Sequence, residues 1–371
     1  MGALKRVERV GKRLLIKLLT SVVNTPSMTT DQVLAQLPRR ILVIRQHNQM
    51  GDMLLAVPAF RAVKESIPGA RVGVLTARIN RDVLLNNPYV DHVITYNVRN
   101  PIGWLSLIHK MRRNRYDLVI ILHTVSFSFT SAALGLLSGA RIRIGSTSRP
   151  FGNSLSNSFY HLELPLPSSV ELQGMNEAEH NLYPLAAVGI RTEDLAPLLV
   201  PTVENRAWAE SFLADHARPG AFKVVVHPGA GKTQNIWSPQ RFAEVVNLLA
   251  QKLPINVFVI EGPRDRYPVA TFCGLIEPPH SVLRGRQIGE VAAVAQESDL
   301  VVCNDTGVMH VSCASGATTL AVFGPTDPMR WAPRCSNLHV VRAGDGNLQR
   351  LAATTVFDQA LSLLRSGVAR Q

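Results

Sequence analysis

Three short segments combine residue types that can handle phosphate and protons. The first is Gly51-Asp52, with Met50 ahead of it. A carboxylate at a helix start is commonly a cap, because it accepts backbone N–H bonds and complements the helix dipole. At the carboxyl end of the first strand of a cleft-forming domain, the same Asp52 is a candidate general base. The second segment is Asn304-Asp305-Thr306-Gly307-Val308-Met309-His310, at a strand-to-helix junction. There Thr306 and Gly307 would present free N–H groups at the positive end of a helix dipole, an anion site suited to a diphosphate, and Gly307 leaves room for close approach. The plain alternative is a capped helix with His310 as a satisfied histidine one turn in. The turn Phe323-Gly-Pro-Thr-Asp-Pro328 closes the next strand, so two adjacent loops would line one pocket. The third segment runs from His227 to Trp237. Its Gly231-Lys232-Thr233 invites a P-loop reading, but that pattern needs a glycine five residues before Gly231, where Val226 stands. Lys232 in a glycine-containing loop can still meet phosphate oxygens beside backbone amides.

These segments need elements to hold them. Ile41-Leu-Val-Ile44 is a short apolar run of the kind that forms a buried parallel strand. The spacing predicts helices over 53–66, 80–86, 104–113 and 126–137, and strands over 71–75, 93–96, 118–122 and 141–145. Prolines at 165, 167, 184, 197 and 201 break this rhythm around a helix over 176–188. A second series follows, with strands over 223–226, 256–260, 300–303 and 319–323 and helices over 240–252, 288–297 and 308–316. Strands alternating with helices imply parallel sheets covered on both faces. Two such doubly wound halves would face each other across a cleft at the carboxyl ends of their strands, where ligands bind. The expected division is a basic amphipathic extension over 1–38, an N-terminal domain over 39–190, a C-terminal domain over 191–348 and a closing helical segment over 349–371.

The bulk composition agrees with two globular cores. At 371 residues the chain exceeds the size at which one core usually keeps growing. Hydrophobic residues make up 46% and charged residues 18%, which excludes a disordered chain. The net charge of +12 predicts a polyanionic neighbour: nucleic acid, an anionic membrane face or a phosphorylated substrate. The basic residues are scattered and match no RRM, KH or helix-turn-helix pattern, which argues against nucleic acid. In residues 1–23, Lys5, Arg6, Arg9, Lys12, Arg13 and Lys17 lie beside an apolar stripe, so this helix either rests on an anionic leaflet or packs on the first domain. Cys273, Cys303, Cys313 and Cys335 form no CxxC or zinc pattern, which predicts reduced thiols and a cytoplasmic protein.

Taken in order and spacing, the segments resemble glycosyltransferase family 9, the heptosyltransferase family, over about residues 39–345. The resemblance is carried by Met50-Gly-Asp-Met-Leu-Leu-Ala-Val-Pro-Ala59, Asn87-Pro-Tyr-Val-Asp91, Arg141-Ile-Arg-Ile-Gly145, His227-Pro-Gly-Ala230 and Asn304 to His310 through Gly324-Pro-Thr-Asp327. It implies a GT-B fold, with two facing Rossmann-like domains, and metal-independent, inverting transfer of a heptose or related sugar from an ADP-sugar to a lipopolysaccharide core or other glycan. By position it implies that Asp52 is the base, beside Gly51, and that Asp305, Thr306, Gly307 and His310 contact the donor. In the family a lysine usually stands two residues before the tryptophan of the third loop; here that position is Asn235, with Lys232 as the nearest substitute. Asp265 either binds ribose hydroxyls or ends a plain turn. No cofactor is implied, and the absence of a clear DxD motif agrees. The basic N-terminus would suit peripheral attachment to the inner membrane. A family member using another nucleotide-sugar or acceptor, or a noncatalytic sugar- or nucleotide-binding member, is the alternative.

Overall fold

The computed structural model describes residues 25–36, 38–46, 49–96, 101–123, 128–147 and 159–368. The basic stripe expected in residues 1–23 lies outside them. Among the described residues no helix is long and apolar enough to cross a membrane. In the N-terminal half, β1 (Arg40–Ile44), β2 (Arg71–Ala77), β3 (His92–Tyr96), β4 (Leu118–Ile121), β5 (Ile142–Ser146) and β6 (Leu162–Leu164) form one sheet in the order β3-β2-β1-β4-β5-β6. In the C-terminal half, β7 (Phe222–His227), β8 (Ile255–Glu261), β9 (His280–Arg284), β10 (Leu300–Asn304), β11 (Thr319–Phe323) and β12 (Leu338–Arg342) form a second sheet in the order β12-β11-β10-β7-β8-β9. Every pairing in both sheets is parallel.

The helices, in chain order, are α1 (Thr30–Ala35), α2 (Met50–Leu54), α3 (Val57–Ser66), α4 (Pro101–Arg113), α5 (Phe129–Leu137), α6 (Glu177–Ala186) and α7 (Val203–His216). They continue with α8 (Pro239–Ala250), α9 (Arg266–Cys273), α10 (Ile288–Gln296), α11 (Gly307–Ala314), α12 (Pro328–Trp331) and α13 (Ala353–Val368). They cover both faces of the sheets, which is why the strands read as unbroken apolar runs. On β1, Ile41 and Val43 join one core with Phe60, while Leu42 and Ile44 join another with Leu75 and Tyr116. The two halves thus form the facing Rossmann-like pair that the alternation implied.

Both sheets reverse their strand order beside the first strand, between β1 and β4 and between β7 and β10. Crossovers leave such switch points in opposite directions and open a crevice at the strand ends. Gly51-Asp52 follows β1, the loop over 227–237 follows β7, and Asn304–Gly307 follows β10. All three chemistry-bearing segments therefore leave strands that flank a switch point.

Two local expectations are corrected. The helix expected over 53–66 is two helices: α2 starts at Met50 and α3 at Val57, with Pro58 in the first turn of α3. Proline has no N–H and clashes with the carbonyl four residues back, so one helix cannot run through Pro58. Gly51 and Asp52 are consequently inside a first helical turn rather than in a loop before it. The helix expected over 80–86 is a short 3-10 turn over Arg78–Asn80, followed by turns and a left-handed Asn86 with φ of 57°. The Asn87-Pro88 pair disfavours helix at this point.

The halves share packed surface. Ala292 of α10 and Val311 and Ala314 of α11 are buried in the core that also holds Val57 and Phe60. Leu199 donates its N–H to the Ala314 carbonyl at 2.8 Å, so the connecting segment is stitched to α11. Asn176 caps α6 and reaches across to the carbonyls of Met329 and Ala332, at 3.0 Å each. The closing helix α13 buries Val356, Ala360 and Leu364 in the C-terminal core with Trp237 and Phe242.

Trp237 anchors the 227–237 loop on that core. Its side chain is fully buried, meets Phe242 edge-on at 4.9 Å and donates its indole N–H to the Leu351 carbonyl at 3.3 Å. Replacing Trp237 by Ala is expected to cost about 3–5 kcal/mol of stability, read from the urea midpoint at constant slope.

Candidate functional site

The site forms where the first turns of α2 and α11 meet. A Cβ built on Gly51 would lie 2.6 Å from Cδ2 of His310, closer than real Cβ atoms come, so only glycine allows the imidazole this position. One residue earlier, Met50 lies over Gly307: a Cβ there would sit 3.8 Å from the Met50 methyl. Neither helix has a side-chain cap, because Gln49 and Thr306 make no capping hydrogen bond. Two uncapped N-termini therefore face one space, and their first-turn N–H groups make it electropositive. Such a space favours an anion.

Asp52 occupies the first turn of α2, half-buried, where the dipole favours its negative charge. Its field acts on two buried bases. His310 is buried, and burial lowers its pKa to about 4 even though Asp52 pulls the other way. The imidazole is thus neutral at pH 7, with Nδ1 meeting no partner among the described residues. Arg45, directly after β1, is wholly buried; burial lowers its pKa, while Glu177 and Asp52 raise it. Its Nη2 donates to the Asp52 carbonyl at 3.4 Å and its Nη1 to the Leu122 carbonyl at 3.5 Å. Asn181 ties α6 to the same turn, donating to the Leu55 carbonyl at 3.1 Å.

On the C-terminal side, Asp305 is the hub. Thr326 donates its hydroxyl to Oδ2 at 2.5 Å, and Asn235 donates Nδ2 to the same oxygen at 2.9 Å. Burial raises the Asp305 pKa, with Thr326 and Lys232 opposing it. Asn235 is therefore a buried brace for Asp305, whereas Lys232 is exposed on the loop surface. Asn304 fastens this loop from behind: its amide donates to the carbonyls of Pro228 and Gly229 at 3.1 Å and accepts the Trp237 N–H at 2.9 Å. Asp265 accepts from His227 Nε2 at 2.9 Å and from the Gly262 N–H at 3.0 Å. Burial works to raise the Asp265 carboxyl, but these donors hold it below its usual range. Side chains on Gly229 or Gly262 would collide with this carboxylate. It ties the loop after β7 to the loop after β8.

Gly51, Asp52, Gly307 and His310 are thus brought into one site, and Asp305, Asn235 and Lys232 border it through the loop after β7. Asp265 stands behind that loop in a buried pair with His227. Sequence reasoning missed Arg45, Glu177, Asn181 and Asn176. Arg45 carried a signal, because a charge immediately after a buried β1 must sit at the cleft end of the sheet. The α6 residues carried none, since their partners lie on other elements. Among the described residues no group of three His, Cys, Asp or Glu side chains is arranged to hold a metal ion.

A family model described as glycosyltransferase family 9 (heptosyltransferase) matches residues 104–361. Lipopolysaccharide heptosyltransferase 3 of Escherichia coli is 27% identical over 313 residues, covering 80% of this chain and 86% of that protein. The crystal structure of a family 9 glycosyl transferase from Veillonella parvula superimposes with a TM-score of 0.77 at 21% identity, over 88% of this chain and 97% of that one. The E. coli heptosyltransferase WaaC with ADP gives 0.69 at 21% identity, over 87% and 99%. At such identities the solved structures speak to the fold, which is the GT-B arrangement expected from the sequence.

Two outcomes follow from the Gly51–His310 contact. Gly51→Ala should lower stability by about 1–3 kcal/mol, seen in urea unfolding, because the added methyl must displace the imidazole. The buried neutral His310 binds no proton until about pH 4, whereas the unfolded chain takes one up below about 6.5. Its contribution is therefore complete above pH 6.5 and lost as pH falls toward 4. Between pH 7.5 and 5 the wild type should lose about 2 kcal/mol more than His310→Asn.

Proposed function

Because this chain belongs to glycosyltransferase family 9, the heptosyltransferase family, we propose that it transfers a heptose or related sugar from an ADP-sugar to a lipopolysaccharide core or other glycan, inverting the anomeric carbon. The observation that carries this reading is the meeting of two uncapped helix N-termini at the Gly51–His310 contact, with Asp52 in the first turn of α2. The diphosphate lies against the first-turn N–H groups of α11, with Thr306, Gly307 and His310 around it. Neutral His310 offers a hydrogen bond there without adding a second positive charge. Asp305, braced by Asn235 and Thr326, shapes the pocket wall, and exposed Lys232 supplies a positive charge at its rim. The buried Asp265–His227 pair fixes the loop that frames the nucleotide.

The reaction is a single displacement. The acceptor oxygen attacks the anomeric carbon from the face opposite the diphosphate, the carbon–oxygen bond to phosphate breaks, and Asp52 takes the hydroxyl proton. ADP leaves with the electron pair of the broken bond, and its charge is stabilised by helix N–H groups already in place. No divalent metal is required. Retention of configuration would need a second carboxylate as nucleophile about 5 Å from the base. The basic residues of 1–23, suited to an anionic leaflet, favour a phosphorylated lipid acceptor on the cytoplasmic side.

The test is ADP release from ADP-heptose with a deacylated lipopolysaccharide-core acceptor in EDTA. Acceptor-dependent release is expected from the wild type, and Asp52→Asn should lower kcat by ~10²–10⁴ with little change in donor KM. Near-normal turnover in Asp52→Asn would overturn the base assignment; no release from the intact protein would favour another donor or a noncatalytic member.

A further inference from the structure

Away from the cleft, the far end of α11 carries a second grouping of reactive side chains. Cys313 lies in the last turn of α11, and Cys335 lies in the loop between α12 and β12. Cys335 packs against the buried cluster that holds Cys303, Met309, Cys313 and Phe323, and its thiol donates to the Pro333 carbonyl at 3.9 Å. Cys313 and Cys335 both line an open cavity of about 360 Å³, whose wall also includes Arg206, Gln296 and Ser336. Neither cysteine has a disulfide partner here.

The two thiols have unequal surroundings. Cys335 is half-buried on the cavity wall, and the neighbouring Cys313 thiol, then the backbone N–H groups of Asn337 and Leu338, lower its pKa despite burial. Cys313 is buried, and its pKa is raised by burial and by Cys335. Cys303 is inaccessible and pushed well up by burial. Cys273 is half-buried on the other side of the C-terminal sheet, with its pKa raised by burial and Glu261. A thiol is nucleophilic where its thiolate is stabilised and reachable, and of the four only Cys335 combines both.

We propose that Cys335 and Cys313 form a peroxidatic dithiol site, open to small hydroperoxides through this cavity, with Cys335 as the attacking and Cys313 as the resolving thiol. The Cys335 thiolate attacks the terminal oxygen of the hydroperoxide, the O–O bond breaks, and the leaving alkoxide or hydroxide takes a proton to become alcohol or water. Cys335 is then a sulfenic acid. The Cys313 sulfur attacks the Cys335 sulfur, the S–O bond breaks, and water departs with the Cys313 proton. Two thiols and one hydroperoxide thus give one disulfide, one alcohol or water and one further water. The bond ties the end of α11, whose other end forms the anion site, to the loop that leads into β12.

The experiment treats the full-length, prereduced protein with hydrogen peroxide, blocks remaining thiols with N-ethylmaleimide and maps peptides by mass spectrometry. A Cys313–Cys335 disulfide peptide about 2 Da lighter than the reduced pair is expected, returning to thiols with dithiothreitol. Without peroxide, iodoacetamide at pH 7 should label Cys335 several-fold faster than Cys273, because the thiolate is the reacting form. Cys313→Ser should keep fast Cys335 labelling but accumulate sulfenic acid, trapped by dimedone. Equal or slower labelling of Cys335, or peroxide oxidation without the Cys313–Cys335 peptide, would overturn the proposal.

Discussion

The cleft depends on how closely two helix N-termini can approach. Gly51 on α2 and His310 on α11 pack so tightly that a single added methyl would lie 2.6 Å from the imidazole. That contact is possible because each helix leaves its sheet at a switch point, α2 after β1 and α11 after β10, so both point their positive ends into the same crevice. Burial of Ala292, Val311 and Ala314 in the N-terminal core holds the two halves in this relation. A wider gap would leave two separate helix ends; the close one brings both positive ends together beside the Asp52 carboxylate.

The electrostatics of the pocket follow from what is buried around it. His310 is neutral because burial outweighs the pull of Asp52. Arg45 stays beneath the same turn, its buried charge answered by Asp52 and Glu177. Asp305 is kept in place by hydrogen bonds from the Thr326 hydroxyl and the Asn235 amide. In the proposed donor site, positive potential toward the ligand would come from fixed backbone dipoles and from exposed Lys232. Preorganised dipoles of this kind need no reorganisation as charge develops on a leaving group.

Much of this was legible in the sequence, for a physical reason. β1, β4, β10 and β11 are short apolar runs buried on both faces, so composition alone located them within a residue or two. Gly51-Asp52 and Asn304–His310 were legible because glycine and carboxylate at strand-to-helix junctions have few uses. The edge strands β9 and β12 are half-exposed and carry no such run, and they escaped notice. So did α7, which buries little beyond Ala209 and Leu213, and α9, which contains Pro268. The break between α2 and α3 was signalled by Pro58 but hidden by the helical spacing on either side. Pairings between distant segments, such as Gly51 with His310, Asp265 with His227 and Asn176 with the carbonyls of Met329 and Ala332, had no local signature.

The central claim is that the α11 N-terminus holds the donor diphosphate facing Asp52, and a crystal structure with an ADP-sugar analogue tests it most directly. The account predicts diphosphate oxygens about 3 Å from the backbone nitrogens of the first α11 turn, and the anomeric carbon turned toward Asp52. A diphosphate bound elsewhere in the C-terminal half, with the first turn of α11 left in water, would contradict it.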